Sequence, residues 1–354
     1  MSSTMRSAMR FGVAELDTAR DLADLVGMRP TDLVRYVDAR SLERTAPIDA
    51  MRNHRYRWHR SRSGSLRLIE APKPILAHLQ RTVSREVLAP VPTHDAAHGF
   101  VRGRSPVTAA RPHVGADVLI RLDLEAFFTT VPVGRVHALF RSFGYSNDVS
   151  HRLTGLVTNA TPPDVLRHSP TPPPDGVERH RRVLARLGHP HLAQGAPTSP
   201  LVANLVAWRF DVRLTGLARA FDAVYTRYAD DLAFSGGDAL RRRSERLIDV
   251  ISAIAADEGF VIHPVKTRVA TRGQRQQFAG IVVNERPNVD RRDVDRLRAE
   301  LHDAIRHGID VANRSGLHDY RNHLLGRIAW VASVNPAKAE RLRRSFDRID
   351  WSVG

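Results

Sequence analysis

Apolar residues recur along this chain with two different periods. In residues 1 to about 50 the spacing is helical: Leu22, Leu25, Val26, Leu33 and Val34 fall on one side, and Arg29-Pro30 interrupts the run. Two short helices about a turn are expected, readable as ordinary packing or as a helix-turn-helix. From Asn53 the period changes. In NHRYRWHRSRSGSLRLI, Arg alternates with aromatic residues up to a Ser-Gly-Ser turn and a second β-like run, which predicts a basic hairpin. Residues 74–89 return to helical spacing through Ile75, Leu76, Leu79, Val83 and Val87.

The middle of the chain mixes the two patterns. VLIRLDL (118–124) is a buried strand with an acid near its end. TPPDVLRHSPTPPPD (161–175) is too rich in proline for a regular element and reads as an irregular excursion. Ser199-Pro200 opens a helix, with Ser as N-cap and Leu201, Leu205, Trp208 and Leu214 as its stripe. Asp238 is expected to cap another helix that runs to Gly259. Strand-like runs follow at 260–262 and 278–283. From about 290 the pattern is helical to the end, with Val294, Leu297, Leu301 and Ile305 on one side and Asn335-Pro336 opening the last helix. No internal repeat is visible.

Composition narrows the function. The chain has 354 residues, with 54 Lys+Arg against 38 Asp+Glu and a net charge of +16. A cationic excess of this size suits a polyanionic partner, because binding phosphates releases counterions. An Arg bias from a GC-rich genome would explain the choice of Arg over Lys, but not the shortage of acids. There is no cysteine, which excludes disulfides, thiolate nucleophiles and sulfur-ligated zinc. No apolar run is long enough for a signal peptide or a membrane span, so a cytoplasmic location is expected.

Against that background RYADDLAFS (227–235) is unexpected: two adjacent carboxylates between apolar, strand-forming runs. A bare Asp-Asp is ordinarily a solvated turn. Here, however, Asp123 shares the setting, since it too closes a hydrophobic strand. Three clustered carboxylates repel one another unless cations join them. Hard divalent ions, Mg²⁺ above all, favour such oxygens together with substrate phosphates. Two of them can activate a hydroxyl and stabilise a departing pyrophosphate.

Read in order, the motifs resemble those of bacterial reverse transcriptases of the retron-type and related defence-associated group. RLDLEAFF around Asp123 resembles the first palm motif. QGAPTSP (194–200) and YADD (228–231) match family boxes, HPVKTRV around Lys266 resembles the next motif, and FAGIVVN the hairpin after it. SGSLRLIEAPKPILAHLQR and AHGFVRGRS resemble the fingers. The likeness runs from about 53 to 290. Two elements depart from it: AARPH (109–113) stands where retron enzymes carry Asn-Ala-x-x-His, and Phe278-Ala279-Gly280 where they carry Val-Thr-Gly. No RNase H, endonuclease or maturase-like extension is recognised.

The resemblance implies an α+β right-hand polymerase. Residues 1–52 would be a helical extension and 53–118 the fingers. Residues 119–289 would form a palm of antiparallel sheet on helices, with a Pro-rich insertion at about 161–190, and 290–354 a helical thumb. It implies that Asp123, Asp230, Asp231 and the Leu124 carbonyl hold two Mg²⁺ ions, with Mn²⁺ as a substitute. Phe128, five residues after Asp123, would be the steric gate against a ribose 2′-hydroxyl, or else a core residue beside Phe127. Gln194, Gly195 and Tyr228 would lie along nucleotide and template, and Arg60, Arg62 and Arg67 would offer charge to the triphosphate. Lys266 would be the general acid toward pyrophosphate, or a plain surface lysine. The implied partners are a structured non-coding RNA template, a DNA or RNA primer, dNTPs and an effector or toxin protein, with antiphage defence as the setting. Untemplated or protein-primed synthesis and a dormant RNA-binding scaffold are the alternatives.

Overall fold

The computed structural model describes residues 11–38, 40–46, 48–61 and 64–352. Alternation in the basic ribbon becomes a hairpin, β1 (His54–Arg60) with β2 (Leu66–Pro72), in antiparallel register with Arg60 opposite Leu66. Gly64, at φ +83°, lets its chain reverse. Arg62 and Ser63 of the expected turn lie outside the described residues.

The central sheet has four antiparallel strands in the order β4-β5-β3-β6: β3 (Val118–Asp123), β4 (Val224–Tyr228), β5 (Asp231–Gly236) and β6 (Arg268–Thr271). The strand β3 is apolar on both sides over Val118–Ile120, where both its faces are covered, and is less covered where Arg121 follows. Val118, Ile120 and Leu122 enter the main core with helices Pro74–Val83, Val133–Ser142, Asn147–Val157 and Trp208–Ala220. Leu119 points the other way, into a smaller cluster with Ala109, Ala110, Phe278, Ile281 and Val283. That cluster seats a second small sheet, β7 (Gln277–Phe278), β8 (Ile281–Val282) and β9 (Asn288–Val289). Helices Arg291–His307, Tyr320–Val334 and Pro336–Phe346 close around a hydrophobic core of their own, with Leu297, Leu301, Leu324, Ile328 and Leu342 at its centre.

Several local expectations are corrected. Val34 and Ile75 are exposed, at 55% and 52%, so each stripe is narrower than its spacing suggested. The helix opened by Pro200 takes Thr198, not Ser199, as its cap residue, and ends at Val206; Trp208 begins a new helix and is half exposed against His94. Ser199 instead donates its Oγ hydrogen to the Ala193 carbonyl at 2.7 Å. Asp238 is the first residue of a short helix, Asp238–Arg242, capped by Gly237; the longer helix Ser244–Asp257 follows. The Pro-rich stretch holds a short helix, Pro163–Arg167, and the segment continues as helix Val177–Leu187. Residues 260–262 contribute one bridge, Leu124 to Ile262, rather than a strand. Among the described residues no helix is long and apolar enough to cross a membrane.

Candidate active site

The Asp pair sits at a hairpin tip. Tyr228 pairs with Asp231 across β4 and β5, leaving Ala229 and Asp230 as a two-residue turn, with Ala229 in the left-handed region at φ 56°. On its other edge β5 meets β3 in a register that places Asp123 directly opposite Asp231. The Leu124 N–H donates to the Asp230 carbonyl at 2.8 Å, tying the end of β3 to the turn. Residues more than a hundred positions apart therefore meet at one corner of the sheet.

Burial and crowding act on these acids together. Burial, reinforced by Asp230 and Asp123 and opposed by the Arg121 guanidinium, pushes the Asp231 carboxyl up to about 6. Burial and then Asp123 raise Asp230, while Lys266 and Arg67 pull it back. Lys266 donates from Nζ to Asp123 Oδ1 at 2.7 Å, and Arg121 Nη2 lies 3.7 Å from Asp231 Oδ1. Among the described residues no group of three or more His, Cys, Asp or Glu forms a finished metal cage. The donor chemistry still fits a hard divalent ion: carboxylates whose mutual repulsion a cation would relieve.

A fully buried network holds the turn from below. Arg227, immediately before YADD, makes a two-pronged pair with Asp211 of helix Trp208–Ala220, Nε to Oδ1 at 2.8 Å and Nη2 to Oδ2 at 2.6 Å. Its Nη1 donates to the Asn204 side chain at 2.9 Å and to the Ala229 carbonyl, inside the hairpin turn, at 3.0 Å. Asn204 in turn donates to the Gly99 carbonyl at 2.8 Å. Gly99 packs so closely that a Cβ there would lie 2.4 Å from the Ala229 nitrogen. On the β4–β5 hairpin, His113 bridges Thr226 and Ser235, each at 2.7 Å, and burial keeps it neutral by lowering it to about 3. Its ring meets Phe278 edge-on at 5.6 Å, so the two elements that depart from the retron pattern touch one another.

The other named residues separate into those near the acids and those that join domains. Phe127 is buried and Phe128 half-buried, its ring 6.2 Å from that of Phe100, so the inward member of the pair is Phe127. The Gln194 carbonyl accepts from the Glu70 N–H at 2.8 Å, and Gly195, exposed at φ +126°, passes so near the Glu70 backbone that a Cβ would sit 3.3 Å from its carbonyl oxygen. Tyr228 is half-buried against the Phe278 cluster. Arg67 is exposed and acts on Asp230; Arg60 donates to the Thr171 carbonyl of the Pro-rich segment at 2.7 Å. Arg62 lies outside the described residues. That segment also brings Arg179 within 2.7 Å of the His263 ring, and the His263 backbone N–H donates to the Asp123 carbonyl at 2.8 Å. Sequence reading missed Arg121, Arg227, Asp211 and Asn204. Arg121 alone had a usable signal: strand alternation puts it on the face of Asp123.

A reverse transcriptase (RNA-dependent DNA polymerase) family model matches residues 58–284. The retron Mx65 reverse transcriptase of Myxococcus xanthus is 37% identical over 335 residues, covering 95% of this chain and 72% of that protein. The retron Mx162 reverse transcriptase of the same organism is 36% identical, covering 96% and 68%. The retron Ec86 reverse transcriptase of Escherichia coli is 27% identical over 290 residues, covering 82% and 78%. The sheet that gathers Asp123 and the Asp230–Asp231 turn is therefore the palm of a right-hand polymerase, and the chain belongs to the retron-type reverse transcriptases, RNA-directed DNA polymerases.

Two predictions follow from this corner of the sheet. Gly99→Ala pushes a methyl group into the Ala229 backbone, which must shift, so both the melting temperature and primer extension should fall; a Gly99→Ala protein with unchanged melting temperature and activity contradicts the contact. Asp231 titrates higher folded than unfolded, so the unfolded chain holds fewer of its protons between its ordinary value and about 6. Its charge thus costs stability above about pH 6, and metal-free protein should gain stability as pH falls from 7 toward 4. Asp231→Asn should remove much of that gain in denaturant titrations across this range; an unchanged profile contradicts the shift.

Proposed function

We propose that this polymerase copies a structured RNA template onto a nucleic-acid primer by Mg²⁺-dependent nucleotidyl transfer at Asp123, Asp230 and Asp231. The register that sets Asp123 opposite Asp231 carries this reading. When bound, the ions neutralise the phosphates and activate the primer hydroxyl; Asp123, Asp230, Asp231 and the Leu124 carbonyl are the groups to hold them.

The remaining work falls to the chain's own side chains. Arg67 faces the acids from the fingers hairpin and takes the charge of the incoming triphosphate, with Arg60 bracing that hairpin on the Pro-rich segment. Phe128 bounds the sugar pocket, where its ring leaves neither room nor a partner for a 2′-hydroxyl. Gly195 lets the backbone lie close beneath nucleotide and template, beside Gln194 and Tyr228. Lys266 lies close enough to the acids to exchange its Asp123 contact for the leaving pyrophosphate and give it a proton. The cationic surface, +16 over the chain, draws the nucleic acid in. Service in antiphage defence rests on kinship with retron enzymes alone.

The test is primer extension on poly(rA) with oligo(dT). Mg²⁺-dependent incorporation is expected, falling at least about a thousandfold in Asp230→Ala. Undiminished synthesis by that variant would remove the assignment.

A further inference from the structure

The Pro-rich segment and the helix that continues it, Val177–Leu187, lie outside every motif that resembles the family's, yet they reach both the basic hairpin and the corner that carries the acids. Helical spacing gives that helix two adjacent faces. Arg179, Arg182 and Arg186 recur at i, i+3 and i+7, and His180, Val183 and Leu187 repeat the spacing one residue on. The second face meets the hairpin. The His180 ring lies 5.7 Å from that of Trp58, and Val183 shares a small cavity with Ser65 and Leu66. The preceding segment adds bonds of its own, from Trp58 Nε1 to the Val165 carbonyl at 3.2 Å and from Arg60 to the Thr171 carbonyl. The first face meets Glu125, two residues after Asp123. Glu125 is 6% exposed, and among the described residues its ion pairs are with this helix, to Arg179 Nε at 3.9 Å and Arg182 Nη2 at 3.5 Å. A buried carboxylate without a counter-charge is costly, so the chain just past Asp123 keeps its place through charge supplied by the Pro-rich segment.

Arg179 also holds the next element. Its Nη1 donates to His263 Nε2 at 2.7 Å. From the same stretch the His263 backbone N–H donates to the Asp123 carbonyl, and Lys266, three residues on, donates to Asp123 Oδ1. The Glu125 N–H completes the link by donating to the Val261 carbonyl at 2.7 Å. One guanidinium thus joins the two stretches that flank Asp123. We propose that Arg179, with Arg182 beside it, is a positioning residue for nucleotidyl transfer: by bridging Glu125 and His263 it fixes Asp123 against Lys266. The inference rests on the polymerase reading, which puts the reacting groups at Asp123. The contacts of Arg179 go to Glu125 and His263 rather than to a group that would hold an ion, so its loss should slow the transfer step and leave substrate binding as it was.

Single-turnover primer extension over a range of dNTP concentrations tests this in Arg179→Gln. The rate at saturating dNTP should fall at least about tenfold, as expected when a reacting group is displaced. KM for dNTP and affinity for primer–template should change by less than about twofold. A raised KM or weaker primer–template binding at an unchanged rate would make Arg179 a substrate contact and overturns the proposal, as does a folded variant with an unchanged rate. Arg179→Gln combined with Glu125→Gln should be no slower than the slower single variant, because the arginine acts through that carboxylate; losses that multiply contradict the route. Hydrogen exchange reads the same contact without chemistry. In Arg179→Gln the amides of 124–126 and 261–267 should exchange at least about tenfold faster, while those of helix Arg291–His307 keep their rates. Unchanged exchange at 124–126 and 261–267 overturns the proposal, and so does a rise throughout the protein, which would reduce the arginine to a part of the fold. Should Arg179→Gln fail to fold, Arg179→Lys, which keeps a charge beside Glu125 but cannot reach both partners, carries the same measurements. A protein with the local exchange change that incorporates nothing loses only the polymerase reading; an active enzyme indifferent to the substitution loses only the role of Arg179.

Discussion

The register between β3 and β5 is the constraint on which the site depends. Because side chains alternate, a slip of one residue would send Asp123 into the core and Leu122 into the open face. Several features prevent the slip. Val118, Ile120 and Leu122 are locked into the main core, and Leu119 into the cluster on the opposite side. The turn that presents Asp230 is fixed separately, from below, by Arg227. That guanidinium is fully buried, and Asp211 outweighs burial to keep it charged. A buried ion pair of this kind is weak evidence for stability but good evidence for specificity, since its loss strands a charge in the core. Here it specifies where the Ala229 carbonyl of the hairpin turn points.

Charge is arranged in layers around this corner. The chain as a whole is strongly cationic, yet its most crowded carboxylates sit together at this corner. Arg121, Lys266 and Arg67 each touch or act on one of them, and Arg179 stands one residue further out at His263. In the absence of ions these side chains offset the repulsion among the acids. Under the proposed function the same cations would become available to the phosphates of the substrates.

Much of this was legible in the sequence, for physical reasons that also explain the misses. The basic hairpin followed from alternation and β3 from its apolar run, whereas 260–262 gave no strand and β6 was not expected; the acids stood out because all three close or join apolar strands. Helix boundaries were less readable. Trp208 continues the apolar spacing of Leu201 and Leu205, but the backbone breaks at Ala207 and turns its ring outward. The partnership of Arg227 with Asp211 could not be read at all, because an acid within an amphipathic helix looks solvated until a strand from elsewhere delivers its counter-charge. Arg60 was expected beside the triphosphate, and its guanidinium bonds the Pro-rich segment instead; nothing in either stretch alone announces that contact.

The central claim is that one cation site joins two distant stretches of chain. Fe²⁺ substituted for Mg²⁺ in the presence of ascorbate and peroxide cuts the backbone near the bound ion. The account predicts cleavage around both 121–125 and 228–232, suppressed in parallel by added Mg²⁺. Cleavage at one stretch without the other, or loss of the two at different Mg²⁺ concentrations, would contradict it.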